Sequence, residues 1–424
     1  MRAGIAWIGM SLVLSAAGVA TWSLTLGQEQ TPGLLPAGLT TPAGPPAARP
    51  ARDPATLAPL GQQMYLASQR GADWLLRTNR PDGRFDYGYL PALKTKMEGD
   101  HYLRQVGAAF ALARAARLTG DERFAAVARQ SLLTLLLDTA TDDISKHTTR
   151  HTTLPSMAIN RLGSAGLLVL AINELPGPAD DLLDQSEQLC NYIRQQQQAD
   201  GSLCYTDDPK LAAEDPDGIN YYPGEALHAL MRSQQHRPAA WKTEAVRKAL
   251  AYYQPWWRKN KNMAFVPWQT AAYAEAYLAT KEQAFADAVY EMTDWVCTQQ
   301  YTQLDPRRPL WIGGFMSWDN GQPVAAAPQV GSAVYAEGLA DACRVARQAG
   351  DLTRYQRYRE ALERSLQFLA TLQYTDGNTQ HFADWYRPRL VGGFYASHQD
   401  GNLRIDYAQH AICAMAQYVS FVCE

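Results

Sequence analysis

From Gln62 to the end of the chain, helical stretches follow one another, and the links between them alternate in length. Short links fall at Thr119-Gly120-Asp121, from Pro176 to Asp180, from Gln235 to Pro238, at Thr280-Lys281 and at Gly350-Asp351. Long links fall at 80–101, 139–152, 199–220, 301–329 and 375–402, and a briefer one rich in Lys and Asn at 258–263. Apolar residues at spacings of three and four mark the helices, as in Leu162, Ala165, Gly166 and Val169. Twelve helices are predicted, near 62–79, 102–118, 122–138, 153–174, 180–198, 221–235, 239–257, 264–279, 282–300, 330–349, 353–374 and 403–420. Strand-like alternation is scarce. A short link folds two helices into an antiparallel hairpin. Twelve helices with alternating links therefore make six hairpins. If these close into a ring, every long loop lies on one face, where function concentrates on a rigid scaffold.

Three segments divide the chain. Met1-Arg2 precedes an uncharged run from Ala3 to Leu26, which has the form of a secretory signal, with small residues for cleavage after Ala20. The run also has the roughly 20 residues that a membrane anchor needs. Residues 1–27 are thus a signal peptide or an anchor through residues 3–26, and both place the remainder outside the cytoplasm. Residues 28–60, rich in Pro, Ala, Gly and Thr, form a linker with little to bury. Residues 61–424 form the all-α domain.

The 424 residues carry a net charge of −3 and no basic stripe, which argues against nucleic acid as a partner. The 11 Trp and 22 Tyr either fill a core or stack on sugars. Six cysteines, an even number, permit disulfides in an exported chain; several lie on apolar helical faces, and buried free thiols are expected. None has the spacing of a zinc site, and no metal or cofactor is expected.

An irregular repeat runs through the chain. Trp74-Leu75-Leu76 leads to Pro81-Asp82-Gly83-Arg84-Phe85, Tyr192-Ile193 to Asp200-Gly201-Ser202-Leu203, and Phe368-Leu369 to Gln373-Tyr374-Thr375-Asp376-Gly377. Each is a helix end followed by a turn, with Asp-Gly expected at the bend. This grammar resembles the α/α toroids: six-hairpin glycosidases, polysaccharide lyases, the C-terminal domain of glucuronyl C5-epimerases and terpenoid cyclases. The resemblance spans about 62–420 and implies an (α/α)6 toroid. Tyr221-Tyr222-Pro223-Gly224-Glu225 and Arg404-Ile405-Asp406-Tyr407-Ala408-Gln409-His410 are similar to segments of epimerase-like bacterial members. The Asp-x-Asp-Asp cluster of the cyclases is absent, and Asp341-Ala342-Cys343 sits mid-helix, unlike the zinc dipeptide of prenyltransferases.

In such a ring, helices that follow long loops begin on the loop face, and their starts carry unusual side chains. Glu225 and Asp406 are the candidate carboxylate pair for glycosidic cleavage. His410, able to titrate near neutrality, and Tyr222 are candidates for proton transfer. Arg404, Arg104, Tyr221, Trp268, Gln269, Trp318, Trp385, His398 and His151 are candidate substrate contacts. Helix starts also favour an anion such as a uronate carboxylate. Each residue has a structural alternative: Asp406 as a helix cap, Glu225 as a loop anchor, His410 as a core histidine held by Asp406, Arg404 as a salt-bridge partner, and the tyrosines as packing. The sequence thus points to an exported enzyme on a polysaccharide or oligosaccharide, by hydrolysis, elimination or C5-epimerisation. The alternative is a non-catalytic toroid that binds glycan or a partner protein through its loop face.

Overall fold

The structure, a computed structural model, describes residues 51–423 apart from 144–146, 156–158, 207–216 and 320–321. The leader at 1–27 and the linker up to residue 50 lie outside the described residues. Asp53 caps a 3-10 turn over Pro54–Thr56, and the Arg52 N–H donates to the Leu118 carbonyl at 3.0 Å. Among the described residues no helix is long and apolar enough to cross a membrane.

Twelve α-helices are present among the described residues: α1 Pro59–Thr78, α2 Tyr102–Thr119, α3 Glu122–Leu136, α4 Arg161–Glu174, α5 Asp180–Gln196, α6 Tyr222–Ser233, α7 Ala240–Lys259, α8 Val266–Thr280, α9 Gln283–Cys297, α10 Ser332–Ala349, α11 Leu352–Thr371 and α12 Ile405–Phe421. The even-numbered helices pack in the cyclic order α2, α4, α6, α8, α10, α12 and back to α2, so the ring closes. The odd-numbered helices pack outside them, and α1 lies against α12, so the two ends of the chain make the sixth hairpin. The composition of each layer follows its place. Every residue from Leu162 to Glu174 in α4 and from Val266 to Tyr277 in α8 is buried. Outer helices bury one stripe, as α3 does with Phe124, Ala128, Ser131, Leu132 and Leu135. This is the expected all-α toroid.

Two boundaries differ from expectation. The helix placed at 153–174 begins at Arg161. Thr149–Thr152 (β4) instead pairs with Thr139–Asp142 (β3), Pro155 has no N–H to give, and Asn160 caps the helix by accepting from the Gly163 N–H at 2.8 Å. The stretch before α12, expected as part of the 375–402 link, holds a strand, Asp400–Arg404 (β8). It pairs with Tyr395–Ser397 (β7) and Gly88–Leu90 (β1), and β1 pairs in turn with Thr95–Lys96 (β2). The first and last long loops are thereby joined across the seam of the ring. A fourth hairpin, Ser317–Asp319 (β5) with Gln322–Val324 (β6), sits in the loop before α10.

The repeat has a mechanical role. After α1, α5, α9 and α11, an amide residue bridges to a buried apolar residue further on: Asn79 to Phe85, Gln197 to Leu203, Gln300 to Phe315 and Gln373 to Phe394. The glutamine side chains each bind two carbonyls. Gln373 Nε2 donates to Gly392 and Ala67, both at 2.9 Å; Gln300 Nε2 to Gly313 at 3.0 Å and Ala361 at 2.8 Å; Gln197 Nε2 to Gly201 at 3.3 Å and Ala245 at 2.8 Å. Each amide thus ties its own loop to the next outer helix. The glycines, Gly201, Gly313 and Gly392, hold φ of 94°, 87° and 94° against that helix's backbone. The third copy therefore turns at Gly392, not at Asp376-Gly377. A fourth copy, Gln300 to Gly313-Gly314-Phe315, has little sequence signal because a long insertion separates its halves.

The short-link end of the ring is closed by a buried ionic belt to which every inner helix contributes. Glu174 (α4) meets Arg114 (α2) at 3.5 Å and Arg232 (α6) at 2.9 Å; Arg232 reaches Glu275 (α8) at 3.6 Å. Arg344 (α10) pairs with Glu275 and Asp341, each at 2.9 Å, and Gln417 (α12) donates to Asp341 at 3.4 Å. All six described cysteines are free.

Candidate active site

Inner helices begin on the long-loop face, so their first turns surround the axis of the ring. At the start of α12, Asp406 accepts from Arg404 Nε at 2.6 Å and Arg404 Nη2 at 2.8 Å. Arg104, from the first turn of α2, reaches the same carboxylate at 3.2 Å. Arg404 lies 4.3 Å over the Tyr407 ring. Asp406 is therefore a fixed carboxylate clamped between two guanidinium groups, and Arg404 orients it.

One turn further along α12, His410 does not bond to Asp406. Its Nδ1 lies 2.7 Å from Glu337 Oε1 on α10. Burial disfavours the imidazolium, but the Glu337 hydrogen bond and charge, aided by Asp406, outweigh it and raise the pKa. Trp268, in the first turn of α8, meets His410 edge-on with ring centroids 6.3 Å apart and His228 of α6 at 6.1 Å. His228 lies deeper: burial pushes its pKa down to about 3, and its Nδ1 has no partner among the described residues.

Glu225, one turn before His228 on α6, is 6% exposed. Burial alone pushes its carboxyl up to about 8, and its Oε2 has no partner among the described residues. The inner ring closes tightly around Glu225: a Cβ at Gly163 of α4 would stand 3.0 Å from its Oε2 and against the Tyr222 ring. Gln269 is buried beside Trp268 with both amide atoms unpartnered among the described residues. Trp268, His228, Glu337, Phe110, Arg114 and Gln417 line a narrow axial cavity of about 10 Å³, room for about one water molecule.

The structure thus gathers Arg104, Tyr222, Glu225, Trp268, Gln269, Arg404, Asp406 and His410 at the inner-helix starts. Tyr221, 41% exposed, tilts against Tyr222 at the same rim. The remaining candidates lie further out. His151 stacks on Tyr192 of α5 with centroids 5.4 Å apart and faces Asp142 at 3.4 Å. His398 touches Thr371 Oγ1 at 3.1 Å, at the end of outer helix α11. Trp385 is exposed against Tyr386, and Trp318 packs on Trp295. His228 is a site residue that sequence reasoning misses; its signal is the i, i+3 spacing from Glu225 along an otherwise apolar helix. Glu337 is visible at the start of α10, but its pairing with a residue two helices further along the chain is not.

No protein-family model and no curated protein matches this chain. Solved structures share its fold. An unsaturated glucuronyl hydrolase from a Bacillus species, responsible for the degradation of glycosaminoglycan, is 12% identical with a TM-score of 0.59, over 86% of this chain and 97% of that one. An α-1,6-mannanase from a Salegentibacter species is 10% identical with a TM-score of 0.58, over 84% and 99%. Cellobiose 2-epimerase from Bacillus thermoamylovorans is 10% identical with a TM-score of 0.58, over 85% and 100%. At these identities the likeness establishes the six-hairpin toroid fold.

Proposed function

We propose that this chain is an exported carbohydrate-active enzyme that transfers protons on a sugar of an oligosaccharide or polysaccharide, at the long-loop mouth of the ring. The observation that carries the reading is the His410–Glu337 pair set against Trp268 beside the axial cavity. An imidazole backed by a carboxylate is a proton-transfer device. Glu225, with its carboxyl pushed up to about 8, supplies a neutral acid at physiological pH. Asp406 has both oxygens on arginines, which favours elimination or C5-epimerisation over a two-carboxylate hydrolysis. The three solved relatives act on glucuronyl glycans, mannan and cellobiose, which supports a sugar substrate. The apolar leader after Met1-Arg2 supports export.

The test is incubation with a panel of neutral and uronate-bearing oligosaccharides in D₂O, read by NMR. Deuterium incorporation at a ring carbon, or a new unsaturated end, is expected, and is abolished in His410→Asn. Turnover that survives in His410→Asn overturns the assignment. Binding of a glycan with neither exchange nor cleavage establishes the non-catalytic alternative.

A further inference from the structure

A second feature of the loop face lies outside the axial cavity. An open groove of about 620 Å³ runs between the C-terminal ends of α7 and α9, with Trp256, Trp295, Trp318, Lys259, Lys261 and Asn220 in its walls. Its aromatic wall is continuous. Trp257 and Trp295 meet edge to face at 5.5 Å, and Trp295 meets Trp318 at 5.2 Å. Trp256, Trp295 and Trp318 remain half-exposed, so ring surface is left for a ligand. Lys261 Nζ stands 5.7 Å above the Trp295 ring. Arg258 pairs with Glu291 at 2.7 Å and Lys261 also interacts with that carboxylate through charge, so among the described residues the cations Arg258, Lys259 and Lys261 outnumber the one carboxylate beside them. Among the described residues no acidic side chain lines the groove. Its floor also holds unused hydrogen-bonding capacity: Asn220 is 6% exposed, and its Oδ1 and the Trp318 Nε1 are buried without a partner among the described residues.

Buried polar atoms are ordinarily satisfied, so a floor acceptor and a wall donor left open indicate a ligand that carries both functions. Hydroxyl-bearing rings supply them, and their flat faces match indole walls. An excess of cations selects negative charge. We infer that this groove is an accessory site that holds an acidic glycan, bearing uronate or sulfate groups, where the chain approaches the ring. It goes beyond the reaction proposed above, since it requires binding and no turnover.

The experiment uses the full chain carrying His410→Asn, so that binding is separated from any turnover. Affinity electrophoresis in gels containing polygalacturonate is expected to retard the protein, with retardation falling as salt rises. Gels containing uncharged hydroxyethyl cellulose or polyglutamate are expected to retard it far less, because one lacks charge and the other lacks rings. Lys259→Glu with Lys261→Glu, both at exposed positions, is expected to weaken polygalacturonate binding about tenfold or more. Trp318→Ala, checked for an unchanged fold by circular dichroism, is expected to weaken it similarly. Retardation unchanged in the lysine variant, or equal retardation by polyglutamate, overturns the proposal. Loss of catalysis by His410→Asn with binding retained leaves the two sites independent.

Discussion

Nδ1 of His410 lies 2.7 Å from Oε1 of Glu337, and this contact across two inner helices sets the protonation of the imidazole. Without Glu337, burial would dominate and push the pKa below that of a free histidine; with it, the balance is reversed. Because the folded value is raised, the interaction stabilises the fold fully below the ordinary histidine range. That stability is lost as pH rises through the folded pKa. Glu337→Gln is expected to move the His410 midpoint downward, measured by NMR titration of the imidazole. If His410 acts as a base, activity rises with pH through that midpoint, and the variant shifts this limb to lower pH. An unmoved midpoint would sink the argument.

Glu225 provides a second pH dependence, of opposite origin. Its carboxyl is pushed from the ordinary glutamate value up to about 8 by burial alone. Between those values the folded state holds a proton that the unfolded chain releases, so stability falls as pH rises across that window. The fall is on the order of 1.4 kcal/mol for each pH unit inside the window. Glu225→Gln keeps the shape and cannot ionise, so it removes the slope. Thermal melts of both proteins from pH 5 to 9 are expected to diverge, with the variant melting progressively higher than the parent as pH rises. Parallel curves would contradict the buried, uncharged state of Glu225.

The ring itself was legible from link lengths, because a link of two to five residues leaves two helices little choice but to lie antiparallel. The first turns of the inner helices follow from that topology, which is why Glu225, Asp406, His410 and Arg104 can be named together. Their partners cannot be read the same way. The i, i+4 spacing of Asp406 and His410 suggests a mutual bond, yet Asp406 turns to Arg404 and Arg104, and His410 to Glu337. Spacing shows which residues share a helix face; it does not show what the neighbouring helix offers. The loops are the least legible part. Pairing of β1 with β8 joins residues over three hundred positions apart, and nothing local encodes it.

The amide of Gln373 fastens the last outer helix to the first, since Nε2 donates to Ala67 of α1 and to Gly392 of its own loop. Gln373→Leu leaves two buried carbonyls short of a donor, a loss of roughly 2–4 kcal/mol. Gly392→Ala acts on the same seam: φ is 94°, and a Cβ would collide with the Arg70 carbonyl. Both variants are expected to lower the denaturant midpoint in urea melts. The double variant is expected to cost less than the sum, because both break one contact. Full additivity would show that the seam is not a single unit.

The belt at the closed end yields the sharpest contrast between stability and chemistry. Glu174 is buried among Arg114, Arg232 and Arg117, and their charges overcome its burial to hold its pKa down at about 2. Removing that carboxylate strands positive charge inside the ring, and uncompensated buried charge costs about 3–5 kcal/mol. Glu174→Gln is therefore expected to lower stability by that amount at neutral pH. The cost is not local, because Arg232 also serves Glu275, and Glu275 serves Arg344, which holds Asp341. A compensating change tests the linkage. With Glu174→Gln in place, Arg232→Met removes one stranded cation and is expected to recover part of the loss, which independent sites would not show. Within the belt, Arg114 and Asp341 line the axial cavity together with Glu337, and Arg114 interacts with Glu337 through charge. The His410 titration midpoint is therefore expected to stay near its parent value only in variants, such as Glu174→Gln with Arg232→Met, that leave Arg114 and Asp341 in place. A midpoint that follows the belt would mean that the two ends of the axis are electrostatically one site.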